Sequence, residues 1–222
     1  MSIQLHKAMT NILAMPYYKN EHHQNGNVKF GHELAVERKL LQNSFTQKLY
    51  KVKKSVLKDW AESNDDTTLR KSLPFIVPGD YIHQPAGSQD FPDFLIYDFT
   101  NRFVGLECKS GEKACPTWND NLPKPNCLYI YSSLQYNATT IFLGKDVISD
   151  QERNLYIEQR QKFLEISNKY KKLQANKDKF NRGWQLVARP KYSQYGGKHK
   201  VDYFLHSDKQ TCEQNALNFS ML

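Results

Sequence analysis

The sequence predicts an α/β fold with a mixed sheet flanked by helices. Three observations carry this. A helical apolar period runs from Glu33 to Trp60, four strand-like runs follow between Asp93 and Gly144, and a capping box at Ser149 and Glu152 opens a second helix.

In chain order, the first twenty-odd residues are polar around Tyr17 and Tyr18, and Lys19 to Asn27 reads as a loop. Apolar residues then fall at Leu34, Leu41, Phe45, Leu49, Val52, Val56 and Trp60, at helical spacings that predict one long amphipathic helix over Glu33 to Trp60. The polar run Glu62 to Ser72 interrupts it, and Pro74, Pro78, Gly79, Pro85 and Gly87 mark a loop. Asp93 to Phe99 is strand-like and ends at a turn around Thr100 and Asn101. Arg102 to Lys109 is close enough to be its hairpin partner. After a loop from Ser110 to Asn126, Cys127 to Ser133 and Ala138 to Gly144 read as two more strands. The second helix extends to about Asn176, with an apolar seam of Leu155, Phe163, Ile166, Tyr170 and Leu173. Trp184 to Pro190 and Val201 to His206 flank a Gly196-Gly197 turn and predict a C-terminal hairpin over about 184–206. No internal repeat or long linker divides the chain, so one domain over 1–222 is expected.

The 222 residues are 39% hydrophobic and 13% aromatic, which excludes a disordered chain. No apolar run is long enough for a transmembrane helix, and no signal-peptide pattern opens the sequence. The expectation is a cytoplasmic protein that does not enter a membrane. Cys108, Cys115, Cys127 and Cys212 form no CxxC pair and are expected as reduced thiols. Thirty-one Lys and Arg against 23 Asp and Glu give a net charge of +8, which favours a polyanionic partner, nucleic acid above all.

The informative segment is Gln84 to Gly111. Pro92-Asp93 opens one strand and Glu107-Cys108-Lys109 closes the next. Strand side chains alternate, so Glu107 and Lys109 share a face and Cys108 points away. A tight hairpin sets Asp93 opposite them, and two carboxylates and an ammonium converge. Mg²⁺ takes oxygen ligands and keeps several waters, so two carboxylates and a phosphate oxygen suffice to hold it. The implied substrate is a phosphodiester. Glu37 lies on the apolar stripe of the first helix, where a carboxylate is costly unless compensated. Glu33, one turn earlier, is the second candidate for the same role.

These residues resemble the catalytic hairpin of the PD-(D/E)xK nuclease superfamily, with residues 94–106 between the acids. The family core is a helix, a three-stranded antiparallel unit, a helix and a further strand: a restriction-endonuclease-like α-β-β-β-α-β order. The loop Gln84 to Gln89 and the segment Pro116 to Asp120 resemble a type II restriction endonuclease. The resemblance implies that Asp93 and Glu107 bind Mg²⁺, with Mn²⁺ as a substitute. It also implies that Lys109 orients the attacking water, that Glu37 completes the acidic site, and that Gln89 holds the hairpin or the nucleophile. The implied activity is sequence-specific hydrolysis of double-stranded DNA to 5′-phosphate and 3′-hydroxyl ends, by a homodimer if the site is palindromic. A repair, junction or nicking nuclease of the same superfamily, or a DNA-binding module without catalysis, are the competing readings.

Phosphate contacts are expected from Lys51, Lys53 and Lys54 on the first helix, and from Lys169, Lys171, Lys172, Lys177 and Lys179. Base readout needs side chains that reach groove edges. Lys191, Tyr192, Gln194, Tyr195, Lys198 and His199 near the hairpin tip have that composition. Asn119, within Trp118 to Asn121, and the stretch His22 to Asn25 are alternatives.

Overall fold

The computed structural model describes residues 2–19, 21–22, 28–29, 31–63, 65–88, 90–119, 122–175, 177, 179, 191–192, 194 and 201–222. The elements are α1 (Ile3–Leu13), β1 (Glu21–His22), β2 (Val28–Lys29), α2 (Gly31–Gln42), β3 (Thr46–Gln47), α3 (Lys54–Ser63), α4 (Thr67–Ser72), β4 (Asp80–His83), β5 (Phe94–Tyr97), β6 (Phe103–Gly111), β7 (Trp118–Asn119), β8 (Leu128–Ser133), β9 (Ala138–Leu143), α5 (Gly144–Val147), α6 (Asp150–Ala175), β10 (Lys191–Tyr192) and α7 (Lys209–Met221). The chain is α/β, with a six-stranded mixed sheet ordered β3-β4-β5-β6-β8-β9 and helices on its faces.

The central hairpin is fixed by its turn. The buried Asp98 carboxylate accepts hydrogen bonds from the backbone N–H groups of Thr100 and Arg102 and pairs with the Arg102 guanidinium at 3.2 Å. Asn101 takes φ 62°, a conformation Asn tolerates better than most residues. This turn sets the antiparallel register of β5 and β6, from Tyr97 opposite Phe103 to Phe94 opposite Leu106. β4 adds antiparallel to β5, and β8 lies parallel to β6.

Both faces of the sheet are covered. Phe94, Ile96, Val104, Leu106, Ile130 and Ile141 face α1, α2 and α7 through Leu5, Met9, Ile12, Val36, Leu40 and Ala216. On the other face Leu95, Tyr97 and Phe103 meet Leu57, Trp60 and Leu69 of α3 and α4, and Tyr129, Tyr131 and Phe142 meet Trp118, Tyr203 and Phe204. Each such buried side chain contributes about 1.5–3 kcal/mol of transfer free energy. Gly105 sits where Trp60 crosses β6: a Cβ there would stand 3.0 Å from the indole ring, closer than an ordinary van der Waals contact.

Several expectations are corrected. The helix expected over Glu33 to Trp60 is two helices. Asn43 turns back to cap the Lys39 carbonyl, and Ser44 takes φ 69°, which ends α2. The chain then pairs through β3 with β4, and Leu49 is 92% exposed, so the apolar spacing across the break was fortuitous. The polar run Glu62 to Ser72 holds α4, and the Pro/Gly loop holds β4. Residues 3–13 form a helix whose Leu5, Ala8, Met9 and Ile12 are fully buried. Val201 to His206 is turns rather than a strand, because Asp202 Oδ1 accepts the N–H groups of Phe204 and Leu205. The rest of the expected C-terminal hairpin lies largely outside the described residues. The capping box forms as expected, with the Glu152 carboxylate accepting from the Ser149 N–H and the Ser149 hydroxyl accepting from the Glu152 N–H. The seam of α6 is exposed at all five positions. The element order also departs from the α-β-β-β-α-β expectation. The crossover from β6 to its parallel neighbour β8 carries β7 and no helix among the described residues, and α6 follows β9.

Candidate active site

The hairpin turn decides where the acids lie. Continuing the β5–β6 register by one residue from Phe94 and Leu106 sets Asp93 opposite Glu107. The Cys108 N–H donates to Asp93 Oδ2 at 2.7 Å, which ties the two strands together at this end. Lys109 Nζ donates to Glu107 Oε1 at 2.7 Å. Side chains at Glu107 and Lys109 are 14% and 28% exposed, so the pair is reachable but largely out of water. The expected convergence of Asp93, Glu107 and Lys109 is therefore present.

The electrostatics follow from that proximity. Burial raises the Asp93 carboxyl well above the usual carboxylate range, and the negative charges of Glu107 and Glu33 raise it further. Burial opposes charge on Lys109, but Glu107 and Asp93 outweigh it and hold the ammonium above its ordinary range. The second Glu107 oxygen is buried with no hydrogen-bond partner. An orphaned buried carboxylate oxygen is costly, and a cation can satisfy it. The donor set, two carboxylates whose charges crowd each other, thus fits a hard divalent cation such as Mg²⁺. Among the described residues no group of three or more His, Cys, Asp or Glu side chains is arranged to hold a metal. Cys108 lies on the opposite face against the apolar core, and burial keeps it a neutral thiol.

Helix α2 brings two more acids to this end of the sheet. Glu37 Oε1 accepts the Tyr81 hydroxyl at 2.9 Å and lies 3.9 Å from His83 Nδ1. The compensation expected for a carboxylate on the apolar stripe is thus a tyrosine hydroxyl with an imidazole nearby. Glu33 Oε2 lies 3.3 Å from His83 Nε2 and accepts from Gln84 Nε2 at 3.3 Å. Of the two helix acids, it is Glu33 whose charge acts on Asp93.

His83 and Gln84 were not read as site residues from the sequence. His83 stacks on Phe94 at 4.7 Å between the two glutamates. Gln84, at φ 48°, donates its N–H to the Asp93 carbonyl at 2.6 Å. Their signal is faint, since they precede Pro85 in a segment that reads as loop.

Among the described residues, the base-reading candidates Asn119, Lys191, Tyr192 and Gln194 fall together. β10 pairs with β7, Lys191 opposite Asn119 and Tyr192 opposite Trp118, so two loops the sequence offered as alternatives are one unit. Gln194 Oε1 accepts from Trp118 Nε1 at 2.8 Å and from the Tyr203 hydroxyl at 2.9 Å, and Tyr192 packs edge-on against Tyr156. These contacts give Tyr192 and Gln194 a packing role. His22 lies in β1, paired with Val28. Gln89, Tyr195, Lys198 and His199 lie outside the described residues.

No protein-family model matches the chain, and no curated protein or solved structure matches it either. No described helix is long and apolar enough to cross a membrane.

Proposed function

We propose that the chain is a Mg²⁺-dependent, sequence-specific double-stranded DNA endonuclease of the PD-(D/E)xK type, with Asp93, Glu107 and Lys109 as its catalytic residues. The observation that carries this reading is the end of the β5–β6 hairpin, where a buried, partly unpartnered carboxylate pair meets a lysine. The antiparallel β4–β5–β6 unit, with β8 parallel to β6, supports the same reading.

Asp93 and Glu107 would hold the metal. A divalent cation there supplies polarisation of the phosphoryl oxygen and a more acidic bound water. Lys109, kept protonated by its two acidic neighbours, acts as a donor. It would orient the attacking water and stabilise charge on the phosphate. Glu33, tied to His83 and Gln84, adds negative charge behind Asp93 and is the better choice for the helix acid than Glu37. The products expected are 5′-phosphate and 3′-hydroxyl ends.

The test is digestion of a long, unmethylated, sequence-diverse duplex with Mg²⁺, and with EDTA as the control. Discrete fragments that vanish in EDTA support the reading, and end-sequencing of them gives the target. Cutting confined to flaps, junctions or single strands of a duplex moves the protein to the repair class. Binding without any cutting leaves a module that only recognises DNA.

A further inference from the structure

We propose that the lysine face of residues 50–58, with the Tyr50–Phe75 ring pair beside it, is the surface on which the phosphate backbone of double-stranded DNA lies next to the acid end of the hairpin. This rests on the nuclease reading above.

The acid end itself repels a polyanion. Asp93 and Glu107 lie beside one lysine, Lys109, and Glu33 and Glu37 of α2 meet His83 next to them. Charges farther off than about 8 Å are largely screened at physiological salt, so the cations that offset these acids must be adjacent. The segment before α3 is adjacent. Lys51 Nζ donates to the Gln84 carbonyl at 2.7 Å, and the Gln84 N–H donates to the Asp93 carbonyl at 2.6 Å. Two hydrogen bonds therefore link a surface lysine to the backbone of the first acid. The Val52 N–H donates to the Pro85 carbonyl at 2.8 Å and pins the segment along the same loop.

The exposed face is built for contact with an anion. Lys54 and Lys58 are four residues apart on α3, on one side of the helix, while Leu57, Trp60 and Ala61 are buried against the sheet. Lys51, Lys53, Lys54 and Lys58 are all exposed. Lys54 pairs with Asp90, and Lys53 and Lys58 have no ion pair among the described residues. Tyr50 and Phe75 stand edge to face at 4.7 Å, 42% and 49% exposed. Exposed rings among lysines suit a partner with both anionic and apolar surface, which is the character of a sugar–phosphate backbone.

The experiment is fluorescence anisotropy of a labelled duplex in EDTA, where no strand is cut, over a salt series. It compares the wild type, a Lys51→Ala/Lys53→Ala/Lys58→Ala variant, a Lys53→Glu/Lys58→Glu variant that keeps Lys51, and a Lys7→Ala/Lys145→Ala control at two exposed lysines of α1 and α5. Thermal melting confirms that each variant is folded. Each phosphate contact contributes about 0.9 to the slope of log affinity against log salt, so the triple alanine variant should lose roughly 2–3 of that slope. The glutamate variant should bind at least about tenfold more weakly at the same salt, and the α1/α5 control should bind as the wild type does. Wild-type binding with an unchanged slope in both strip variants overturns the surface and leaves the nuclease reading standing. An equal loss in the α1/α5 control also overturns it, as does a wild type that binds no duplex, which removes the nuclease reading as well.

Discussion

β6 and β8 run side by side and parallel, with Glu107 opposite Tyr129 and Lys109 opposite Tyr131. All six residues of β8 are buried, whereas β6 is buried from Phe103 to Leu106 and opens to solvent from Glu107 onward. The tyrosines of β8 resolve their polar tips locally. Tyr129 accepts the Lys124 N–H at 2.7 Å, and Tyr131 donates to the Lys113 carbonyl at 2.6 Å. Glu107 leaves an oxygen without a partner. Packing alone accounts for β8. It does not account for the second half of β6, where the sheet tolerates a costly polar group.

Substitutions should separate the two strands clearly. Phe142→Ala, which removes the ring stacked on Tyr129 at 5.6 Å, should cost about 3–5 kcal/mol in urea unfolding. A much smaller loss would mean that the aromatic flank beside β8 is loosely packed. Acid stability gives the next largest effect. Burial holds the His32 imidazole, on α2 beside Glu33, down at about 4. The unfolded chain takes up a proton below about 6.5, so this contribution is complete above that pH and is lost as pH falls toward 4, about 3 kcal/mol in all. Unfolding of His32→Leu at pH 4.5 and 7, taken as about two points across that window, should show a smaller acid loss than the wild type. Gly105→Ala should cost about 2 kcal/mol, since the new methyl meets Trp60 and the Cys127 sulfur, the latter at 3.2 Å. Asp93→Asn should act in the opposite sense. A carboxyl whose folded value is raised stabilises at low pH and loses that stability as pH rises, so the amide should gain about 1 kcal/mol at pH 7 by thermal melting. A destabilised Asp93→Asn would show that the acid serves the fold and would remove the contrast with β8.

The hairpin was legible because its turn and register are local. Asp98, Asn101 and the alternation of β6 lie within a few residues of the acids they position. The Ser149–Glu152 box was legible for the same reason. What was missed depends on contacts far apart in sequence. β4 is four residues long and buried on both faces, so it shows no alternation, and it lies between Gly79 and Gln84, both at positive φ. α7 packs its Ala216 and Ser220 against α1, and its moderate apolar content gives little periodic signal. α1 had a readable period in Leu5, Ala8, Met9 and Ile12, which the polar residues between them masked. The break after α2 was hidden by an accidental continuation of apolar spacing to Leu49 and Val52. His83 joins the site only because β4 pairs with β5, which no local pattern announces.

The most direct test is the initial rate of duplex cleavage in Mg²⁺ by the wild type, Asp93→Asn and Lys109→Ala, each with its duplex affinity measured in EDTA. The account predicts rates lowered by about a thousandfold in both variants with affinity unchanged. Either variant cutting at the wild-type rate would contradict it.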